Sequence, residues 1–477
     1  MSESLTHKTI KGTIWSFVER FTAQGINILV LVAIARRLTP KEFGLIGMLT
    51  IFLAVAQSLI DSGFSQALIR KQNRTDKDKN TVFYFNILVS SLLYIIFFFI
   101  SPWVASFFNE PLLSDVMKVI CLVVVIDSFA VVQRAVFTIA IDFKTQTKAT
   151  FIAAVVSGSI GIYLAYSGYG VWTLVYQQLS NSLMNVIVLW AYSDWYPKLV
   201  FSWQSFRDLF GFGSKLMISG LLDTLYRNIY QLVIGKAFSA ESLGYYTNAH
   251  KFSDLPSSNL TAVLQRVTYP VLCTIQDEDE RLASAYRKFL RLSAFAVFPL
   301  LCGLASVASP FVELFLGNQW SYAAVLMIPV CFQMMWYPIH SINLNLLQVK
   351  GRSDLFLKLE IIKKCIGVVI LFCSLPYGLL VMCYTGIFSS ILCLGINTYY
   401  TGKLINVGFL LQMKDISGSL FLSLTMFFIV RALSTLFTNN ISCLIVCCIV
   451  GVIYFVAVAF IFKMKEITYI RELIKNE

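Results

Sequence analysis

Apolar runs about as long as a bilayer is thick recur along almost the whole chain, and no other feature limits its fold so severely. Residues 82–100 (VFYFNILVSSLLYIIFFFI) contain no charged side chain. A helix needs about 20 such residues to cross the hydrocarbon core. Reading these runs against charge and turn breaks places spans near 12–35, 43–66, 81–107, 112–140, 147–167, 171–192, 210–237, 243–272, 289–309, 322–348, 356–375, 379–400, 416–437 and 441–463. The expected fold is an all-α integral membrane protein of about fourteen transmembrane helices. Membrane strands would show as short alternating segments, whereas these runs are long and continuous. Only 13% of the 477 residues are charged, against about 25% in soluble domains.

The net charge of +12 would suit nucleic acid or anionic lipid, but its distribution points to membrane orientation, and no nucleic-acid partner is expected. Basic residues crowd alternate connections: residues 70–79 (RKQNRTDKDK), 281–291, 350–364 and the tail 463–475. The connections around SPWVASFFNEP, SGYG, LGNQW, SLPYG and FTNN hold almost none. The positive-inside rule then places both termini in the cytoplasm. Arg36, Arg37 and Lys41 are the one basic cluster on the other side. Trp103, Trp172, Trp190, Trp195 and Trp320 fall near span ends, as an aromatic belt predicts. The first span is too long for a signal-peptide core and is expected to be retained.

No connection exceeds roughly 20 residues, which leaves no room for a nucleotide-binding or catalytic domain, and no P-loop is present. Eleven cysteines are scattered through apolar segments without a CxxC pair, and the three histidines lie at 7, 250 and 340. No metal or other cofactor is expected. Transport would have to be driven by an H⁺ or Na⁺ gradient, by membrane potential, or by the substrate's own gradient.

The chain repeats itself. IARRLTPKEFG at 34–44 overlays IGKAFSAESLG at 234–244 without a gap, at an offset of 200. Ile34 matches Ile234, Arg36 meets Lys236, Thr39 meets Ser239, and Gly44 matches Gly244. Both segments close one long span and open the next. An offset of six spans makes the repeats parallel; transporters built so bind substrate between the halves and rock one against the other. Residues 193–208 (SDWYPKLVFSWQSFRD) would link the halves, and the last two spans fall outside the repeat.

Polar residues inside the spans recur at helical spacing. Ser16, Arg20, Gln24 and Asn27 form a stripe on the first span; Ser219, Asp223, Arg227 and Gln231 form one on the seventh. Asp223 and Arg227 stand at i, i+4 and can partly neutralise each other. Lys251, Arg266 and Asn248 on the eighth span and Arg134 on the fourth complete the set. A charge at the bilayer centre costs roughly 2.5–3.5 kcal/mol on insertion scales, so such residues usually face a wet interior. Several Arg and Lys in one cavity suit a concentrated negative charge such as a diphosphate, whose oxygens match the guanidinium fork. The structural alternative is interhelical ion pairing with Glu19, Asp61, Asp127 or Asp254. Asp61 and Asp223 are the candidates for coupling to Na⁺ or H⁺, alongside the polar Gln24 and Asn27. Coupling is not obligatory, since moving a negative charge outward gains roughly 2.3 kcal/mol per 100 mV.

LTPKEFG after the first span, DSGFSQALIRK closing the second, GYGVWTLVYQQL opening the sixth, and the stretch from FGFGSKLMISGLLDTLYRNIYQLVIGKAF to SAESLGYYTNAHKF resemble the polysaccharide-transporter branch of the multidrug/oligosaccharidyl-lipid/polysaccharide exporter superfamily. The likeness is to its Wzx-type flippases and covers essentially the whole chain. It implies two pseudo-symmetric six-helix lobes, 1–200 and 201–402, in a V around a cationic cavity, with two further helices in 403–477. It implies a bacterial cytoplasmic membrane and, as substrate, an undecaprenyl-diphosphate-linked oligosaccharide for O-antigen, capsule or exopolysaccharide. It also implies a polysaccharide polymerase and a chain-length regulator as possible partners. By position, Arg20, Arg227, Lys251 and Arg266 match the arginines and lysines thought to engage the diphosphate. A cation-coupled multidrug antiporter of the same superfamily would favour an acidic or aromatic cavity. A membrane polymerase or glycosyltransferase would carry a sizeable outward loop with catalytic acids, whereas the few outward acids here (Glu110, Asp115, Glu313) form no obvious pair.

Overall fold

A computed structural model describes residues 24–61 and 63–469, with the side chains of Asp61, Phe212 and Lys215 outside the description. Regular structure among these residues is helical throughout. Hydrocarbon demands this, because a helix satisfies its backbone N–H and C=O groups within itself. Helices occupy the described part of every stretch read as a span from the sequence. Among the described residues, eight segments are long and apolar enough to cross a membrane, including Asp76–Phe108, Leu379–Ile405 and Asn440–Ile461. The fold is all-α and multi-pass.

The chain divides into two compact units, Met1–Gly244 and Tyr245–Glu477. The first holds α1 (Gln24–Ala35), α2 (Pro40–Asp61), α3 (Phe64–Arg70), α4 (Asp76–Phe108), α5 (Leu112–Ile120), α6 (Leu122–Ser128), α7 (Val131–Ile139), α8 (Phe143–Tyr166), α9 (Trp172–Ala191), α10 (Trp203–Ala237) and the first turn of α11 (Ala240–Thr274). The stretch 112–140 is therefore three short helices rather than one. α4 starts in a capping box, with Asp78 N–H donating to Thr75 Oγ1 and Thr75 N–H to the Asp78 carboxylate, and Lys71 Nζ lies 2.8 Å from Asp78. Such a box satisfies two otherwise orphaned helix N–H groups.

The connection is shorter than the expected 193–208, because α10 already opens at Trp203, and it is strapped to the start of α4. Lys198 N–H donates to Asn80 Oδ1 at 3.0 Å and Ser202 N–H to Thr81 Oγ1 at 3.1 Å. Trp195 is buried edge-on to Phe83, with ring centroids 5.8 Å apart. Trp320 is buried as well, while Trp103 is exposed. The aromatic-belt expectation thus fails for Trp195 and Trp320, whose indoles find protein neighbours and edge-to-face partners instead of an interface with headgroups.

The second unit holds the rest of α11, then α12 (Asp279–Ser306), α13 (Ala308–Phe315), α14 (Ser321–Met334), α15 (Tyr337–Val349), α16 (Ser353–Ser374), α17 (Leu379–Ile405), α18 (Phe409–Ser434) and α19 (Asn440–Ile461). α14 and α15 divide one span at Met335 and Trp336. Pro338 sits in the first turn of α15, where a missing N–H costs nothing. α18 runs along α12, and α19 along α18, so the two helices outside the duplication are built into this unit.

Candidate functional site

The duplicated segments fold alike. Each is a helix end, a two- to four-residue turn and a helix start: α1 to α2, and α10 to α11. Ile34 and Ile234 are both buried. Thr39 N–H donates to Glu42 Oε2 at 2.6 Å, and Ser242 N–H donates to Ser239 Oγ at 3.0 Å, so matched hydroxyl residues start both helices. The two starts also touch each other. A Cβ built on Gly44 would fall 1.6 Å from the Ala240 carbonyl oxygen, and one on Gly244 would fall 1.8 Å from that of Pro40. Ala240 and Pro40 are themselves repeat partners, so the contact is reciprocal, as a local two-fold relation requires.

Ion pairs and aromatic faces hold the surroundings of this contact. Lys41 Nζ lies 3.0 Å from Glu110 Oε1, and the Arg37 guanidinium sits 4.3 Å above the Tyr166 ring. Lys236 Nζ donates to the Phe107 carbonyl at 2.5 Å. These basic residues fall where the positive-inside pattern expects few, and their local partners account for them.

The expected polar stripes are distributed as follows. On α1, Gln24 is half-buried and Asn27 exposed; Arg20 and the Asp61 side chain lie outside the described residues. On α10, Arg227 Nε lies 2.6 Å from Asp223 Oδ2, with the two side chains 72% and 42% exposed. The i, i+4 pair therefore forms, on an open helix face. Gln231, one turn further, has a buried Oε1 with no hydrogen-bond partner among the described residues. On α11, Lys251 and Arg266 are exposed and Asn248 is buried.

Arg134 on α7 sits in a recess of its own. Its Nη2 lies 3.3 Å from Asn185 Oδ1 and 3.8 Å from Asp127 Oδ1, so one of the four acids named as alternative partners pairs with it. Gln146, Thr150, Asn185 and Leu189 complete a cavity of about 250 Å³. Among the described residues, no group of three or more His, Cys, Asp and Glu is placed to hold a metal ion.

Residues 33–325 match the family model described as "Polysaccharide biosynthesis protein". The chain belongs to this family. It is an all-α, multi-pass membrane protein whose fold is shared with solved flippase and MATE transporter structures. It is 24% identical to the teichuronic acid biosynthesis protein TuaB of Bacillus subtilis (strain 168), covering 74% of this chain and 73% of that one. It is 24% identical to the lipopolysaccharide biosynthesis protein WzxC of Escherichia coli (strain K12), over 76% and 74% respectively. Its fold is similar to that of the lipid II flippase MurJ in an inward closed conformation, with a TM-score of 0.76, 15% identity, and coverage of 96% of this chain and 100% of that one. An inward-facing MATE transporter shares the fold less closely, with a TM-score of 0.59, 15% identity, and coverage of 83% and 94%.

Two features of this polysaccharide biosynthesis family member were not legible as pairs in the sequence. Asp415 on α18 binds both Arg287 and Arg291 of α12, with Arg287 Nε at 2.6 Å. Gln412, one turn earlier, donates to Thr401 Oγ1 at 2.9 Å and accepts from Asn343 Nδ2 at 3.0 Å. Asn343, Thr401 and Gln412 are all buried, and their network joins α15, α17 and α18. Arg287 and Arg291 stand at i, i+4 in the sequence, which marks one helix face. Nothing in the spacing connects that face to a carboxylate more than 120 residues away.

Proposed function

We propose that this chain flips an oligosaccharide linked to undecaprenyl diphosphate from the cytoplasmic to the periplasmic leaflet by alternating access. The observation that carries the reading is the reciprocal contact of Gly44 with Ala240 and Gly244 with Pro40. In the proposed topology both termini are cytoplasmic and fourteen helices span the membrane, which puts this contact at the outward ends of the first and seventh spans. It would then be a gate between two lobes, 1–200 and 201–402, closed on the outside and released when the lobes rock. Residues 403–477 would supply the two added helices.

The cargo class comes from the relatives. Their names refer to teichuronic acid, lipopolysaccharide and, in Rhizobium meliloti (strain 1021), succinoglycan biosynthesis transport. Exposed Arg227, with Arg20, Lys251, Arg266 and Arg134, would supply donors for the diphosphate. Gln24, Asn27, Asp61 and Asp223 are the proposed coupling and polar lining groups, and a polymerase and chain-length regulator are the proposed protein partners. The test is reconstitution with fluorescent undecaprenyl-diphosphate oligosaccharide under imposed pH, Na⁺ and voltage gradients. Flipping by the wild type and its loss in Arg227→Ala and Arg20→Ala are expected. Equal flipping in both variants would overturn the cationic path.

A further inference from the structure

We infer that the second unit carries a binding site for an anionic phospholipid headgroup, separate from the cargo path. The site is a cavity of about 450 Å³ where the start of α12 meets the α17–α18 turn and the segment after α19. Its charged and aromatic lining is Glu280, Arg287, Lys288, Arg291, Lys465 and Tyr469. These lie on two stretches far apart in sequence, yet both belong to the basic connections that the charge pattern places on one membrane face.

The charge balance points to an anion. Four cations face two acids, Glu280 and Asp415, leaving a net +2 around the cavity. Asp415 alone would be neutralised by one guanidinium, yet it holds two. Arg287 spends Nε and Nη2 on this carboxylate, and Arg291 does the same. A guanidinium has five N–H donors, so three remain on each, anchored in position by a carboxylate that is 1% exposed. Lys288 is held 4.5 Å over the Tyr469 ring, a contact that fixes its direction without removing its charge. Two preorganised guanidinium groups and two ammonium groups form a cradle for phosphate oxygens.

The surroundings favour a lipid over a free phosphate. Leu410, next to lining residue Leu411, is 83% exposed, and Ile461 and Phe462, just before Lys465, are also largely bare. Acyl chains would cover these while the headgroup sits in the cavity, the arrangement by which basic pockets between membrane helices hold acidic lipids on the cytoplasmic side. The leaflet rests on the topology proposed above; the binding chemistry does not.

The experiment uses delipidated full-length protein in detergent without cargo, titrated with phosphatidylglycerol, phosphatidylethanolamine and soluble glycerol phosphate and read by native mass spectrometry. Phosphatidylglycerol is expected to bind in preference to phosphatidylethanolamine, and glycerol phosphate at the same concentration should not displace it. Lys288→Gln with Lys465→Gln leaves the Asp415 clasp intact and should weaken phosphatidylglycerol roughly 30-fold, at about fivefold per lysine. Glu280→Gln should strengthen it. Unchanged binding in the lysine double variant, or full displacement by glycerol phosphate, would overturn the site as a lipid site. An impermeant thiol reagent should label Lys465→Cys, in a background with Cys365, Cys373 and Cys448 changed to Ser, only from the cytoplasmic side. Labelling from outside would overturn the leaflet and the topology while leaving the detergent result to judge the site.

Discussion

Gly44 and Gly244, 200 residues apart, each press against the carbonyl oxygen that opens the other's helix, at Ala240 and Pro40. Neither position has room for a side chain. Replacing Gly44 or Gly244 by Ala should therefore cost about 1–3 kcal/mol, as overpacking typically does, and should pry the two helix starts apart. Thermal melting in detergent and thiol accessibility at neighbouring positions would register both effects. Gly25→Ala on α1, where nothing among the described residues lies within 4 Å, should be neutral or stabilise by up to about 1 kcal/mol. Equal behaviour of all three variants would show that the contact carries no load.

Arg227→Ala should separate function from folding. Its pair with Asp223 lies on an exposed helix face, where an i, i+4 pair contributes only about 0.3–0.5 kcal/mol. The melting temperature should barely move while flipping falls at least tenfold. A melting shift matching the loss of activity would reduce Arg227 to a structural role.

Asp415→Ala should destabilise the protein strongly, because two guanidinium groups would lose their buried counter-charge. Breaking such a pair costs about 3–5 kcal/mol, and the partial exposure of Arg287 places the expected value near the lower end. Adding Arg287→Gln should recover part of the loss, since one like charge is then removed. A double-mutant cycle measured by denaturation gives the coupling directly; additive losses would refute the clasp.

Gln412→Leu should lower stability without touching any charge. It would remove the amide shared by Asn343, Thr401 and the Val407 carbonyl, leaving Asn343 and Thr401 bonded to each other and to backbone carbonyls, and a hydrogen bond lost from such a network costs about 0.5–1.5 kcal/mol. Asn343→Leu combined with Gln412→Leu should be less damaging than the sum of the single changes. Comparing the three melting temperatures decides it.

These clusters mark what a linear reading can reach. The Asp223–Arg227 pair was legible because both residues lie one turn apart on one helix, where periodicity alone sets neighbours. The Arg134–Asp127 pair spans only the two-residue break between α6 and α7, yet the sequence offered Asp127 just as one of four acidic partners for the whole basic set. The Asp415 clasp and the Gln412 network were not legible, since each joins helices whose adjacency no local rule specifies. Trp195 and Trp320 illustrate the same limit: a position near a span end suggested the membrane interface, and packing against protein overrode it.

By itself the sequence determined that the chain is helical and crosses the membrane many times, because long uncharged runs leave hydrocarbon as their only favourable surroundings and are too long and continuous for the alternating strands of a barrel. It also contained the duplication, since a fixed offset is a one-dimensional property. Only the tertiary structure decided that the duplicated segments meet each other. That contact depends on two glycines whose missing Cβ atoms let carbonyls approach, and close approach is a property of packed surfaces that no spacing along the chain records.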